Sequence, residues 1–368
     1  MASFKMLHPV PSYFSIYMDG LRLAAAYYVF LFHLKKLQIG TESFLKLIPD
    51  HGHDAVVLFF VLSGYVIAAT VDRKKSSGWQ DYLLDRAARV YSVALPTLIF
   101  SALVALVIQW AAQGGSRGLS VLGVLGSTVL NFFFLGQSWG LESWVVYNQP
   151  YWSLCYEVLY YALFGVAVFA KSYWRYIGLL IVGLMTGPKV LLLLPCWLLG
   201  VYAYRWRDRL VMSPTVAVVV GFVLPVAILV LLNKLGFGPS TRAWMDALIE
   251  NRKDRLEFSA DFLIDYVTAT LVAINLYAAR FIPFRFPNIV SAVFKGGANI
   301  SFTLYLMHMP LIYLVLHFVA DARHTLFWFF VCAIGVPLFC YFVSQFTELR
   351  RSSLRHWLAL RLAVFNRR

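Results

Sequence analysis

The sequence predicts an all-α membrane protein: a polytopic bundle of about ten transmembrane helices with both termini in the cytoplasm. Three observations lead there. Charged residues make up only 14% of the chain, against about 25% in a soluble domain. Hydrophobic residues reach 60% and the mean hydropathy is +0.70, so apolar surface exceeds what a soluble core can hide. Apolar runs long enough to cross about 30 Å of hydrocarbon recur along nearly the whole chain. Residues 1–346 therefore read as a single membrane domain, followed by a basic cytoplasmic tail at 347–368.

The clear spans fall at 15–37, 54–72, 90–112, 152–170, 190–206, 213–232, 262–281, 298–319 and 325–346. The first carries no small-residue cleavage site and reads as a retained helix, not a signal peptide. Residues 176–187 are short and end in Gly187-Pro188, which suggests a broken or tilted span. Residues 119–138 are apolar but glycine-rich (Gly123, Gly126, Gly136) and read as re-entrant or interfacial.

Basic residues set the orientation. Arg73-Lys74-Lys75 with Arg86 and Arg89, Arg205 to Arg209, Arg280 to Lys295, and a tail containing Arg350, Arg351, Arg355, Arg361, Arg367 and Arg368 all belong inside. Counting 176–187 as a span and 119–138 as none satisfies all of them. The net charge of +14 is thus a membrane-orientation signal; membrane lipids are expected partners and nucleic acid is not. The external segment 233–260 mixes both signs of charge and reads as a solvated loop or a lid over the outer mouth. Cys155, Cys196, Cys332 and Cys340 lie in apolar segments and read as small buried hydrophobes.

Arg22 and His33 share one face of the first span. Eleven steps of about 100° leave their side chains about 20° apart and about 16 Å separated along the axis. An ionisable group in such a stretch faces a cavity or a partner, not lipid. His33 reads either as a helix-packing histidine or as a general base. Glu157, about one turn into the span opened by Tyr151-Trp152-Ser153, needs a partner, and His33 is the one expected; the alternative is a structural glutamate bonded to Trp or Tyr. Ser63-Gly64 in the second span permits close backbone packing, or else leaves room for a ligand to which Ser63 donates. Arg86 and Arg89, three apart, present two guanidinium forks on one face, suited to phosphate or to a lipid headgroup. His51-Gly52-His53-Asp54 imitates a metal site but lacks a matched second cluster, and no metal is expected.

These pieces together resemble the membrane acyltransferase family 3. The resemblance spans most of the chain: Asp19-Gly20-Leu21-Arg22 with ten residues between Arg22 and His33, Phe59-Phe60-Val61-Leu62-Ser63-Gly64, Arg86-x-x-Arg89, Trp152-Ser153-Leu154-x-x-Glu157, and Ile300-Ser301-Phe302-Thr303-Leu304-Tyr305-Leu306-Met307-His308-Met309-Pro310. Cys155-Tyr156, where smaller or aliphatic residues are expected, departs from the pattern. The resemblance implies a ten-helix core in the cell membrane (the inner membrane in a Gram-negative bacterium). It further implies O-acylation of a carbohydrate or lipid-linked glycan by a cytoplasmic acyl-CoA, with acetyl-CoA the expected donor. On this reading Arg86 and Arg89 hold the donor phosphates, Arg22 and Ser63 contact the donor further in, His33 is the catalytic base and Glu157 orients it; a covalent acyl-His33 is the competing form. A multi-pass transporter or flippase of a glycan or lipid precursor is the alternative function, although no internal symmetry of the kind common in transporters is visible.

Overall fold

The computed structural model describes residues 11–74, 78–111 and 120–365. Lys75, Arg367 and Arg368, counted above among the inward-facing charges, lie outside them. The described chain is helical and contains no strand. Its main helices are α1 (Ser12–Lys36), α2 (Gly52–Arg73), α3 (Trp79–Ala111), α4 (Val121–Phe132), α5 (Tyr151–Phe169), α6 (Ser172–Thr186) and α7 (Pro188–Arg205). After them come α8 (Pro214–Lys234, including a π-helical segment), α9 (Phe237–Leu248), α10 (Phe262–Ala279), α11 (Asn288–Ala298), α12 (Ser301–Phe318), α13 (Leu326–Phe346) and α14 (Arg351–Phe365).

Among the described residues, seven helical stretches are long and apolar enough to cross a membrane, and the bent pair α6–α7 makes an eighth when taken as one span. The protein is an all-α polytopic bundle. The 25-residue α1 is also long enough, but Asp19, Arg22 and its tyrosines dilute its hydropathy. The expectation of ten spans counts α6 and α7 separately. Their junction is Gly187, whose φ of +83° and the 2.6 Å that would separate a Cβ there from the Trp139 backbone nitrogen admit glycine alone without strain. Pro188 then opens α7, where its missing N–H costs nothing. At 12 residues, α4 is about 18 Å long and too short to cross the bilayer.

Two compact units divide the chain. Unit 1 comprises Met1–Leu23, Val57–Lys75 and Leu191–Gly297; unit 2 comprises Ala24–Val56, Ser76–Val190 and Ala298–Arg368. In unit 1, Gly64 of α2 and Gly200 of α7 let two backbones meet: a Cβ on Gly64 would lie 2.0 Å from the Trp197 carbonyl oxygen, and one on Gly200 1.9 Å from that of Val61. In unit 2, α12 packs on both α13 and α3, and α14 lies along α3.

Prolines inside these helices strip a hydrogen bond from the carbonyl four residues earlier, a serious loss where no water can replace it. Three of those carbonyls are met by polar side chains from elsewhere in the same unit. Pro225 frees Gly221, in the π-helical segment Val219–Val223, and Asn275 Nδ2 donates to the Gly221 oxygen at 2.9 Å while its Oδ1 accepts from Tyr17. Pro310 frees Leu306, whose oxygen accepts from Asn148 Nδ2 at 2.8 Å. Pro337 frees Ala333, whose oxygen accepts from the Tyr27 hydroxyl at 3.2 Å.

The external segment expected as a loop or lid is structured. It holds the amphipathic α9, and Arg252 is buried beneath it, donating through Nε to Asp246 at 2.8 Å, through Nη1 to Asp261 at 2.9 Å and to the Ala260 carbonyl. All four cysteines are buried and free. Among the described residues no group of three or more His, Cys, Asp or Glu is arranged to hold a metal ion; His51 pairs with Asp54 and His53 stacks on Trp152.

Candidate active site

His33 lies in the last turns of α1 and is half-buried. Its Nδ1 is 2.9 Å from the carbonyl oxygen of Val29, one turn earlier. A carbonyl oxygen only accepts, so that nitrogen carries the proton. The remaining nitrogen, Nε2, makes no hydrogen bond among the described residues and is therefore a bare lone pair on a neutral ring.

The same Nδ1 lies 3.1 Å from Nε2 of His308 on α12. His308 has no exposed surface; its own Nδ1 faces the Leu304 carbonyl at 3.0 Å. The two ring centroids are 5.0 Å apart. Phe30 closes one side of His308 edge-on, and the Tyr305 ring lies 6.4 Å away on another. The Tyr305 hydroxyl meets Ser153 Oγ at 2.7 Å, which ties α12 to the first turn of α5.

Glu157 does not take the place expected for it beside His33. It accepts from the Tyr161 hydroxyl at 2.5 Å, one turn further along α5. Tyr161 in turn has the Arg86 guanidinium over its ring at 5.6 Å. Glu157, Tyr161, Arg86 and Arg89 therefore form one electrostatic neighbourhood. Ser153, one turn before Glu157 on the same face, bonds the Tyr305 hydroxyl, and the Glu157 charge acts on both Tyr305 and Tyr161.

Arg86 and Arg89 do share a face of α3. The buried Nε of Arg86 has no hydrogen-bond partner among the described residues, and Arg89 interacts with Glu348, whose carboxylate accepts from the Thr303 amide and hydroxyl, each at 3.1 Å. Beside Arg86 lies a cavity of about 310 Å³ that includes Tyr82, Tyr91, Phe134 and Tyr161 in its wall.

In unit 1, Arg22 stands 3.6 Å from Asp19, one turn earlier on α1. Ser63 Oγ accepts from the Trp197 indole at 3.2 Å. The space beside Gly64 is filled by the α7 backbone, so packing takes the room considered above for a ligand.

A second cleft in unit 2, of about 600 Å³, is lined among others by Glu142, Trp144, Tyr147, Asn148, Gln149 and Tyr313. Tyr147 and Tyr313 hold their rings 4.7 Å apart. Tyr313 sits five residues beyond His308 on α12, and Asn148 is the residue that covers the Leu306 carbonyl. Neither His308 nor this cleft has a role legible in the sequence; the one signal for His308 is its place in the late motif ending at Pro310.

The fold and the polar groups held within it define a multi-pass membrane protein. A family model described as an acyltransferase domain, of the acyltransferase-3 type, matches residues 15–346, and the chain belongs to that family. The chain is also similar to an O-acetyl transferase of Shigella phage Sf6, with 28% identity over 154 residues. That match covers 41% of this chain and 45% of the phage protein, so the chain aligns with less than half of this relative's length. No solved structure matches the chain.

Proposed function

We propose that the protein is an O-acyltransferase that moves an acyl group from a cytoplasmic acyl-CoA to a hydroxyl of a carbohydrate or lipid-linked glycan in the cell membrane. The family match and the phage relative support O-acyl transfer, and that relative's name favours acetyl-CoA as donor. One observation carries the chemistry: the Val29 carbonyl holds the proton on Nδ1 of His33, leaving Nε2 of a half-buried imidazole free to accept another.

The acceptor hydroxyl gives its proton to His33 Nε2 as its oxygen bonds to the thioester carbonyl carbon. The carbon–sulfur bond then breaks, and the departing thiolate takes that proton from the imidazolium to leave as CoA thiol. Shielding from water keeps the thioester for the acceptor. Arg86 and Arg89 hold donor phosphates with charge-assisted hydrogen bonds. Aromatic rings and amides beside a single carboxylate suit a neutral polyol better than an anion, so the Tyr147–Tyr313 cleft is the acceptor's place.

The test compares surface glycans and lipids from cells with the wild-type protein, without it, and with His33→Ala. A mass increment of one acyl unit that requires the wild-type protein is expected. If His33→Ala produces the same increment at the wild-type rate, the reading is wrong.

A further inference from the structure

We propose that His308 is the positioning residue of His33: together with the Val29 carbonyl its Nε2 accepts the His33 Nδ1 proton, fixes the ring in the tautomer that bares Nε2, and shares the charge when that nitrogen is protonated. The inference rests on the reading of His33 as the base.

The geometry assigns the two rings different tasks. Each Nδ1 faces the carbonyl four residues earlier, Val29 for His33 and Leu304 for His308. Both Nδ1 atoms therefore carry hydrogen, and both Nε2 atoms are acceptors while the rings are neutral. The 3.1 Å contact between His308 Nε2 and His33 Nδ1 is then the second branch of a bifurcated hydrogen bond, in which the single Nδ1 proton is shared with the Val29 carbonyl at 2.9 Å. It leaves His308 no vacant nitrogen: one is bonded to Leu304, the other to His33. With no exposed surface, His308 does not meet substrate. His33 keeps one nitrogen vacant and is the exposed member.

A carboxylate usually fills this place beside a catalytic histidine. Here a neutral ring fills it, at the position where the sequence suggested Glu157. The difference is physical. A carboxylate buried among Phe30, Tyr305 and two imidazoles would carry a full charge into an apolar setting. A neutral imidazole costs less, and becomes a stronger partner once His33 is cationic, because a hydrogen bond from an ionised donor is about twice as strong as a neutral one. The bond also fixes the ring against rotation about its Cβ–Cγ axis. Contacts from Phe30 and Tyr305 fix His308 in turn.

The experiment uses the full chain in lipid nanodiscs, with ¹⁵N-labelled histidine and radiolabelled acetyl-CoA as the donor probe, the acceptor being supplied by membranes of cells lacking the protein. Wild-type protein should show a through-bond ¹⁵N–¹⁵N coupling between the two rings that disappears in His33→Ala and in His308→Phe; no coupling in the wild type overturns the proposal, whatever the variants do. His308→Phe should lower kcat by about 10²-fold while the acetyl-CoA KM stays within about twofold of wild type. His308→Gln, whose side-chain oxygen can accept from His33 Nδ1, should recover most of that loss. A folded His308→Phe with wild-type kcat, or Gln and Phe variants equally impaired, overturns the proposal. Transfer at the wild-type rate by His33→Ala would instead refute the acyl-transfer reading beneath it.

Discussion

Asn148 donates its side-chain amide to the Leu306 carbonyl at 2.8 Å, and that carbonyl is the one Pro310 deprives of its helical donor. The contact replaces a lost helical hydrogen bond with one from a loop, at the level where α12 carries His308. Removing Asn148 should leave the oxygen unsatisfied. Asn148→Leu is expected to destabilise the protein by about 1–3 kcal/mol. Pro310→Ala restores a backbone N–H, so the double variant should lose less than the sum of the single variants. Thermal unfolding in detergent of the four proteins measures the cycle; strict additivity would show that the two residues are not coupled.

Gly64 and Gly200 let the backbones of α2 and α7 approach closely in unit 1. Gly64→Ala pushes a methyl group into the Trp197 carbonyl, and α2 and α7 must part to admit it. A loss of about 1–3 kcal/mol is expected. Gly296→Ala is the control: nothing lies within 4 Å of a Cβ there, and the added helix propensity should leave stability unchanged or raised by up to about 1 kcal/mol.

Arg86→Ala and Arg89→Ala should each raise the acetyl-CoA KM by about tenfold or more, the worth of a charge-assisted hydrogen bond, with a smaller effect on acceptor KM. Glu157→Gln should leave the ¹⁵N coupling between His33 and His308 intact, because Glu157 accepts from the Tyr161 hydroxyl. Loss of the coupling in that variant would return Glu157 to the place beside His33.

The α9 segment should respond to acid. The Arg252 Nε–H bond to Asp246 holds that carboxyl below its usual range. A native value depressed below the unfolded one stabilises the fold fully above the unfolded value, about 3.9, and the gain is lost as pH falls through the native value. A nitroxide on Ser240→Cys, feasible because the native cysteines are buried, should become more mobile as pH drops below about 4. In Arg252→Ala it should be mobile at neutral pH already.

Much of the fold is legible without coordinates because a bilayer imposes a length. Most predicted spans meet a helix within a few residues, as with 54–72 and Gly52–Arg73, or 325–346 and Leu326–Phe346, whereas the helix over 90–112 begins eleven residues earlier, at Trp79. The break at Gly187-Pro188 is equally local: one residue needs a positive φ and the next cannot continue a helix. Arg22 and His33 share a face because helical periodicity alone puts them there. Segment 233–260 was harder to read, since charges of both signs suit a solvated loop, whereas one of them, Arg252, is buried under carboxylates brought from both sides.

The sequence by itself determined that this chain is a membrane helix bundle, where most of its apolar spans lie, and which ionisable side chains must find shelter within it. Only the tertiary structure decided who shelters whom. His33 meets His308 across 275 residues of chain, and Glu157 turns to Tyr161 instead. Helices such as α5 and α12 are apolar on every side, so their periodicity names no inward face; the rotation that selects each partner comes from packing against neighbours, and packing is a property of the assembled bundle.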